Sequence, residues 1–265
     1  MKEIFVSART LPEAYHKAIT ALHDEGLVLT ANDWNQSQKE VSMTFVAMEP
    51  LAEPRVSKLY IGGFREMQQY VMEILDGILD FKIGDGWDYT YHDRMVNFPL
   101  TGDPDTGQEA FDQVRFVIDE LKRQPDSRRA VMSIRDNNVD PFSSDPACLQ
   151  HVQYLIRDGA LHCKVLMRSN DAPKASFMNA FAFVMLQEKI AAALGTPVGS
   201  YTHRANSYHA YSRDFGMLEQ YAQAIAGKSV SEITYEYEDF FQELMEESVP
   251  AILAQVSELK KKIDE

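Results

Sequence analysis

Residues 149–168 read LQHVQYLIRDGALHCKVLMR, two largely apolar runs on either side of Asp158-Gly159. An Asp-Gly pair between such runs predicts a tight turn joining two strands of a larger sheet. Residues 176–194, SFMNAFAFVMLQEKIAAAL, are apolar on nearly every face and end at Gly195. That pattern is typical of a helix buried in the middle of a domain. The stretch therefore predicts a sheet together with a central helix.

The sequence on either side predicts further elements around this centre. Thr10 and Glu13 form a capping-box pattern, and apolar residues recur at helical spacing from there until Gly26. The other predicted helices are 64–80, 108–124, 213–226 and 238–263, the other predicted strands are 40–47, 55–61, 129–134 and 198–209, and a loop is predicted over 95–107. No repeat, low-complexity tract or linker interrupts the chain, so we predict one α+β domain over residues 1–265.

Composition and charge exclude several classes of protein. The 265 residues include 26 basic and 40 acidic side chains, a net charge of −14. This charge disfavours nucleic-acid binding, which usually needs a basic face. Two cysteines are too few for a disulfide framework, and no apolar run has the length of a signal peptide or a membrane span. We therefore expect a cytoplasmic protein without nucleic-acid or membrane partners.

Arginines stand at two positions where an anion would bind. In PDSRR, residues 125–129, Arg128 and Arg129 are adjacent between a predicted helix and a predicted strand. Neighbouring guanidinium groups repel each other, and a phosphate that accepts forked hydrogen bonds would relieve this; the alternative is a pair of solvated surface arginines. Arg168 opens the polar run RSND at the end of a predicted strand, where binding residues often collect.

The two cysteines have different surroundings in the sequence. Cys148 lies in DPACLQ, at the start of a predicted strand after a turn-forming segment. Near arginines its thiolate would be stabilised and become a nucleophile, whereas on an apolar face it would be inert packing. Cys163, in LHCKV, favours the packing interpretation.

The sequence offers little support for a metal or for a glycine-rich phosphate loop. Histidines occur at positions 151, 162, 203 and 209, but not at the spacing of a known metal-ligand motif. The GFREM segment at 63–67 lacks the glycines and lysine of a phosphate-binding loop. We therefore expect no metal, and any nucleotide would be bound by side chains.

Several of these motifs together resemble the thymidylate synthase superfamily. They occur in that family's order and spacing: PDSRR, Cys148 with Gln153 five residues later, RSND, Asn179, and YHAY at 208–211. The segments QPDSRR, VQYLIRD, MRSND and YHAYSR are most similar to those of the T-even phage deoxycytidylate hydroxymethylases. The segment TFVAMEP at 44–50 extends the similarity towards the N-terminus. The resemblance covers about residues 40–215.

The resemblance implies an obligate homodimer built through a large mixed sheet flanked by helices. In this family the cysteine, here Cys148, adds to carbon 6 of a pyrimidine nucleoside monophosphate, and carbon 5 then attacks the methylene group of 5,10-methylene-tetrahydrofolate. Arg168, with Arg128 and Arg129 of the partner subunit, would hold the phosphate, and His209 and Tyr211 would reach the sugar. The implied nucleotide contacts are Arg128, Arg129, Gln153, Arg168, Ser169, Asn170, Asp171, Asn179, His209 and Tyr211.

The family's general acid and base is a glutamate on the helix before a variable loop. Both Glu66 and Glu73 lie on the corresponding predicted helix, and Glu73, in VMEIL, matches best. An apolar neighbourhood would raise the pKa of Glu73 toward a range useful for proton transfer. Tyr89, in DYTYHDR, matches the family's tyrosine on the next segment.

The chain also departs from the family pattern at several positions. NDWNQSQ at 32–38 lacks the arginine that caps the phosphate in thymidylate synthases, and Leu149 replaces the histidine that usually follows the cysteine. The segment from Glu73 to Tyr89 is shorter than in bacterial thymidylate synthases and lacks the loop whose tryptophan packs on folate; whether Trp87 replaces that tryptophan is left open by the resemblance. The chain ends in a charged helix, ELKKKIDE, and not in a recognisable closing tail.

These observations favour one activity and leave others open. The Asn179 amide both donates and accepts, which suits a uracil edge, whereas the phage cytosine enzymes have an aspartate there. The resemblance therefore favours dUMP as the substrate and thymidylate as the product. The alternatives are a 5-hydroxymethylase acting on dUMP, dCMP or CMP with methylene-tetrahydrofolate and water, or a nucleotide-binding paralogue without catalysis.

Overall fold

The computed structural model describes residues 1–31, 36–100 and 110–264, and a mixed β-sheet lies at its centre. The strands in these ranges are β1 (Glu3–Ala8), β2 (Leu27–Ala31), β3 (Gln36–Ala47), β4 (Val56–Ser57), β5 (Phe98–Pro99), β6 (Ala110–Phe111), β7 (Val131–Ser133), β8 (Leu149–Arg157), β9 (Ala160–Asp171), β10 (Val198–Tyr211) and β11 (Thr234–Tyr235). The helices are α1 (Leu11–Glu25), α2 (Phe64–Asp76), α3 (Tyr91–Val96), α4 (Gln113–Arg123), α5 (Phe177–Leu194), α6 (Phe215–Gly227) and α7 (Gln242–Asp264).

Seven strands form the large sheet, in the order β1-β3-β10-β9-β8-β7, with β2 paired to β3. The β9–β10 and β1–β3 pairs are parallel, and the other pairs in this sheet are antiparallel. The predicted hairpin of β8 and β9 is confirmed, and Asp158 and Gly159 adopt φ angles of 51° and 75° at its turn. Because β9 and β10 are parallel and β8 is antiparallel to β9, the start of β8 and the ends of β9 and β10 meet at one edge.

Helix α5 forms the centre of the core beside this sheet. It packs against β9, β10, α1, α2 and α4, and most of its apolar side chains are buried. By length and composition alone the segment Ala172–Leu194 would pass for a membrane span, but here its faces are covered by the other elements. Phe177 illustrates this packing, with its ring centroid 5.2 Å from that of Tyr15 and 5.6 Å from that of Tyr60.

Most of the predicted elements are present with small changes at their ends. Helix α1 begins after Thr10, whose side chain and that of Glu13 form the reciprocal capping box. The predicted strands at 40–47 and 198–209 extend further, as β3 and β10. Strands β1 and β2 were not predicted, although each pairs with β3 over its whole length.

Three predicted elements, 55–61, 95–107 and 108–124, have wrong boundaries. Only two residues of the predicted strand 55–61 pair in a sheet. Tyr60, later in the segment, is buried by packing against Phe177 and not by pairing in a strand, so its apolar character did not indicate a strand. The predicted loop 95–107 includes part of α3 and all of β5, and its residues 101–107 lie outside the described ranges. The predicted helix 108–124 begins only at α4, since β6 precedes it.

The predicted helix 64–80 ends early, and Gly77 explains why. Helix α2 stops at Asp76, and Gly77 has a φ of 63°, in the left-handed region. A Cβ atom there would lie 2.1 Å from His92 Nδ1 and 2.3 Å from Asp80 Oδ2. The chain therefore turns at Gly77 into a segment braced by Asp80, whose carboxylate accepts hydrogen bonds from the Thr90 hydroxyl at 2.5 Å and from His92 Nδ1 at 2.6 Å.

Candidate active site

Three polar segments of the sequence meet at the edge of the sheet described above. Cys148 directly precedes β8, RSND ends β9, and YHAY ends β10. The backbone N–H of Arg168 donates to the carbonyl of Cys148 at 2.8 Å, which fixes the first two segments side by side. Asp171 and His209 are paired in the β9–β10 register, which brings in the third.

A cavity of about 310 Å³ opens among these segments, and we call it the Cys148 pocket. Of the residues predicted to contact a nucleotide, six line it together with the predicted nucleophile. Its lining consists of Tyr70, Tyr91, Cys148, Met167, Ser169, Asn170, Asp171, Ala175, Asn179, His209 and Tyr211. Sequence reasoning therefore selected residues that lie together in space.

A second cavity of about 460 Å³ adjoins the first, and we call it the Trp87 cavity. Tyr70 and Tyr91 line both cavities, so the two spaces are neighbours. The lining of the Trp87 cavity consists of Tyr70, Glu73, Ile74, Leu79, Asp80, Gly86, Trp87, Asp88, Tyr89, Thr90, Tyr91, Ser144 and Asp145. Its walls are thus largely aromatic and acidic.

Burial and charge act in opposite directions on the Cys148 thiol. Burial raises the pKa of Cys148, and the charge of Asp145 raises it further. Arg168 lowers this pKa, but its effect is smaller than that of burial. Arg168 thus stabilises the thiolate relative to the thiol, as expected, but burial has the larger effect and the pKa of Cys148 lies above its ordinary value.

Arg168 also holds the segment that carries Cys148. Its guanidinium donates to the carbonyl oxygens of Pro146 at 2.5 Å and of Ala147 at 3.1 Å. An arginine has five N–H donors, so several remain for an anion. Cys163 contrasts with Cys148: it is fully buried, and burial raises its pKa to about 12, which confirms the packing interpretation.

Asn179 lies in the first turn of α5 and is 5% exposed. Its Oδ1 accepts a hydrogen bond from Asn170 Nδ2 at 2.9 Å, and its Nδ2 donates to the hydroxyl of Tyr70. Both polar atoms of the amide are thus engaged by the protein, while the side chain faces the Cys148 pocket. Each atom retains further bonding capacity for a ligand, since an amide carries two lone pairs and two N–H groups.

His209 and Asp171 lie side by side at the ends of β10 and β9. Burial lowers the pKa of His209, and the charge of Asp171 opposes this shift. Burial likewise raises the pKa of Asp171, whose carboxylate accepts a hydrogen bond from the backbone N–H of Lys174 at 3.2 Å. The His209 ring meets Tyr211 edge to face, with centroids 4.8 Å apart.

Glu73 and Tyr89, the other predicted catalytic residues, line the Trp87 cavity and not the Cys148 pocket. Burial raises the pKa of Glu73, as predicted, although a hydrogen bond from Gln69 at 2.9 Å opposes the shift. Burial also raises the pKa of Tyr89, and the neighbouring Cys148 contributes to the increase. Glu73 can therefore carry a proton closer to neutral pH than an exposed carboxyl group.

Sequence reasoning missed the two tyrosines that link the cavities. Tyr70 lies three residues before Glu73 on α2, so the two share a helix face. Tyr91 lies two residues after Tyr89, and its hydroxyl accepts from the backbone N–H of Leu149 at 3.3 Å. The helical spacing from Glu73 could have indicated Tyr70, but no signal in the sequence separated Tyr91 from its neighbours.

The adjacent arginines do not line the Cys148 pocket of their own chain. Arg128 and Arg129 are both exposed, and Arg129 pairs with Glu120 at 2.9 Å. Gln153 also lies outside the pocket, with its amide donating to the carbonyl of Arg128 at 3.0 Å. Gln153 is absent from the lining of the Cys148 pocket in its own chain, and its contact with a nucleotide stays a prediction.

Two of the segments in which the sequence departs from the thymidylate synthase pattern are NDWNQSQ at 32–38 and the segment that carries Trp87. Residues 32–35 of NDWNQSQ lie outside the described ranges, and the rest begin β3. Trp87 lines its cavity with 38% of its surface exposed, and Lys82 Nζ lies 4.6 Å from the ring centroid. Among the described residues, no cluster of three or more His, Cys, Asp or Glu side chains is placed to hold a metal ion.

Comparison with known proteins assigns the family. The thymidylate synthase family model matches residues 62–246, a range that contains both cavities. The chain belongs to the thymidylate synthase family. It is 31% identical to a protein of Methanocaldococcus jannaschii over 218 residues, covering 80% of this chain and 93% of the relative. A Methanosarcina barkeri protein is 24% identical over 220 residues, covering 83% and 95%. Both are named "Putative thymidylate synthase".

Proposed function

We propose that this member of the thymidylate synthase family transfers a one-carbon unit from 5,10-methylene-tetrahydrofolate to carbon 5 of dUMP, forming thymidylate. One observation carries the proposal: the Cys148 thiol and the Asn179 amide line one cavity of about 310 Å³. A nucleophile and a base-reading amide are the two groups that attack on carbon 6 of a recognised pyrimidine requires.

Cys148 is the nucleophile in this proposal. Its sulfur forms the bond to carbon 6 while the electrons of the carbon 5–carbon 6 double bond move to carbon 5 and the neighbouring carbonyl. Because burial raises the pKa of the thiol, its proton passes to the general base as the bond forms. Arg168 favours this step, because its positive charge stabilises the thiolate relative to the thiol. Glu73, in the adjoining cavity, acts as the general acid and base, and burial favours this role because it raises the pKa of the carboxyl group.

The Trp87 cavity fits the folate co-substrate. Trp87, Tyr89 and Tyr91 offer aromatic faces on which a flat pterin ring can stack, and the cavity adjoins the Cys148 pocket through shared residues. Bound there, methylene-tetrahydrofolate supplies the one-carbon unit and, for methylation, the hydride that reduces it. The chain's task is then to align carbon 5 with the methylene group and to exclude water.

Two subunits complete each phosphate site in this proposal. Arg168 lies between Met167 and Ser169, which line the Cys148 pocket, whereas Arg128 and Arg129 are exposed and lie away from the pocket of their own chain. We propose a homodimer that joins through the large sheet, in which Arg128 and Arg129 of the partner subunit reach the phosphate. Forked arginine contacts suit a phosphate dianion.

The central test is mass spectrometry of the nucleotide after incubation with methylene-tetrahydrofolate and each of dUMP, dCMP and CMP. We expect dUMP to become thymidylate, with one dihydrofolate formed for each product, seen as a rise in absorbance. A hydroxymethyl nucleotide beside unoxidised tetrahydrofolate would establish the hydroxymethylase alternative. Nucleotide binding without any product would instead establish an inactive paralogue.

A mixing experiment tests the shared site. Arg168→Ala and Arg128→Ala each remove one phosphate contact, so each homodimer should lose activity. A dimer with one subunit of each kind contains one unaltered site if the phosphate is shared between subunits, and activity should partly return. Folded mixed dimers that stay inactive would show that each site is built from a single chain.

A further inference from the structure

A chain of hydrogen bonds runs from the interior of the sheet to the Asn179 amide. The Tyr201 hydroxyl lies 2.8 Å from His203 Nδ1, and His203 Nε2 lies 2.9 Å from Asn170 Oδ1. Asn170 Nδ2 lies 2.9 Å from Asn179 Oδ1, and Asn179 Nδ2 contacts the Tyr70 hydroxyl. We call these residues the amide chain. Its inner members are buried, with Tyr201 and His203 at 0% exposure and Asn170 at 3%.

The buried end gives the amide chain a direction. Among the described residues, the Tyr201 hydroxyl has one hydrogen-bond partner, the His203 Nδ1 atom. A buried hydroxyl that only accepted a hydrogen bond from Nδ1 would leave its own O–H donor without a partner, which destabilises the folded protein. Tyr201 therefore donates, so Nδ1 accepts and the ring proton sits on Nε2 and donates to Asn170 Oδ1. Asn170 must then present its NH₂ group to Asn179.

His203 is held in this single neutral form by its surroundings. Burial lowers the pKa of His203 to about 3, so the ring does not take up a second proton near neutral pH. Phe45 stacks on the ring, with the centroids 4.7 Å apart and the planes 10° from parallel. Because its plane is fixed and its tautomer is set by Tyr201, the imidazole always donates from Nε2 to Asn170 Oδ1.

The direction of these hydrogen bonds matters because uracil and cytosine have donors and acceptors at exchanged positions on the edge that Asn179 would contact. Uracil has a donor at N3 and an acceptor at position 4, whereas cytosine has an acceptor at N3 and a donor at position 4. An amide changes from one edge to the other only by exchanging its oxygen and nitrogen. In Asn179 that exchange would set NH₂ against the NH₂ of Asn170, two donors facing each other in a buried site.

We propose that Tyr201, His203 and Asn170 are positioning residues that fix the orientation of the Asn179 amide and so select uracil over cytosine. This rests on the proposed function, in which Asn179 reads the base of dUMP. None of the three acts on the reacting atoms. They act by making one orientation of Asn179 much more favourable than the other.

The decisive variant is Asn170→Asp. An ionised carboxylate only accepts, so it keeps the hydrogen bond from His203 but now requires the NH₂ group of Asn179, which reverses that amide. We expect the ratio of the dissociation constants for dCMP and dUMP to fall by about 10-fold or more, the order expected when a buried hydrogen bond is mispaired. Calorimetric titration of the whole protein with each nucleotide, without folate, measures this ratio.

Tyr201→Phe provides a milder test that removes a single oxygen atom. Without the hydroxyl, the tautomer of His203 is no longer fixed, so the ratio should fall, by less than in Asn170→Asp. Tyr154→Phe is the matched control: Tyr154 is also fully buried, on β8, but its hydroxyl lies beside Cys163 and outside the amide chain. We expect Tyr154→Phe to keep the ratio of the unaltered protein.

A measurement on the unaltered protein does not depend on any variant folding. The ¹⁵N chemical shifts of His203 should show a protonated Nε2 and an unprotonated Nδ1, and a proton on Nδ1 would overturn the inference. An unchanged nucleotide ratio in folded Asn170→Asp and Tyr201→Phe, with the unaltered protein still preferring dUMP, would also overturn it while leaving the proposed function intact. An unaltered protein that binds neither nucleotide would overturn the proposed function itself.

Discussion

The Cys148 pocket and the Trp87 cavity are neighbours that share Tyr70 and Tyr91, yet they are built differently. The Cys148 pocket is formed by strand ends and the start of α5, where register and buried hydrogen bonds fix each side chain. The Trp87 cavity is formed mainly by the segment between α2 and α3, which is braced by hydrogen bonds from Thr90 and from His92 of α3 to Asp80.

The two cavities differ in how firmly their side chains are held in place. Strand ends hold polar groups in place because moving one would break the ladder beside it, so this construction suits chemistry that needs fixed distances. A braced loop can change length and sequence while the sheet stays intact, so it suits recognition that varies. Substitutions in the Cys148 pocket should therefore affect chemistry strongly. Those in the Trp87 cavity, apart from the proposed catalytic residues Glu73 and Tyr89, should affect co-substrate binding more weakly.

The largest effect is expected from Cys148→Ala. Removing the nucleophile should lower kcat by about 10³-fold or more, because no other group replaces the bond to carbon 6. The dissociation constant of dUMP should stay near that of the unaltered protein. Cys163→Ala is the control and should remain active. Release of tritium from carbon 5 of labelled dUMP by the Cys148 variant would disprove the assignment.

Arg168→Ala should weaken dUMP binding by about 10- to 100-fold, the usual loss for a charged hydrogen bond. It also removes the contacts to Pro146 and Ala147, so kcat should fall as well. Arg157→Ala, at the other end of the same hairpin, is the control and should change neither quantity. Calorimetry with dUMP checks the binding, and equal losses in the two variants would contradict a specific phosphate role.

Trp87→Ala tests the other side of the comparison. If a pterin ring stacks in this cavity, KM for methylene-tetrahydrofolate should rise by about 3- to 10-fold, the size of one aromatic contact. The affinity for dUMP should not change, because Trp87 does not line the Cys148 pocket. Phe142→Ala removes an aromatic residue that is 86% exposed and serves as the control. A loss of dUMP affinity in Trp87→Ala would contradict the division into two cavities.

The smallest effect concerns the titration of Cys148. Because burial raises its pKa, its reaction with iodoacetamide should reach half its maximal rate at a higher pH than a free cysteine, whose pKa is about 8.5. Arg168 lowers the pKa of this thiol, so Arg168→Ala should shift the midpoint further upward and slow the reaction at neutral pH a few-fold. A midpoint below that of free cysteine would show that charge, and not burial, dominates at Cys148.

The sequence predicted the Cys148 pocket better than its surroundings, for physical reasons. The hairpin, α5 and the motifs at the strand ends carry strong local patterns, and seven of the predicted site residues lie together in that pocket. Strands β1 and β2 were missed because they are stabilised by pairing with β3, and a short segment of sequence does not show which strand it will pair with. The role of the predicted residues in catalysis stays a prediction.

The amide chain shows a second limit of sequence reasoning. His203 stood out only as a histidine without metal-ligand spacing, and Tyr201 did not stand out at all. Their connection to Asn179 depends on strands β9 and β10 lying side by side, so that His203 Nε2 reaches Asn170 Oδ1. A contact of this kind across strands cannot be derived from spacing along one of them.

The neutral imidazole of His203 also makes the fold sensitive to acid. An unfolded chain takes up a proton at this histidine below about pH 6.5, whereas the folded chain resists protonation until about pH 3. Between these values proton uptake favours the unfolded state, by about 1.4 kcal/mol for each pH unit. His203 therefore also lowers the stability of the fold in acid, and acid unfolding should release the Asn179 amide from the hydrogen bonds that orient it.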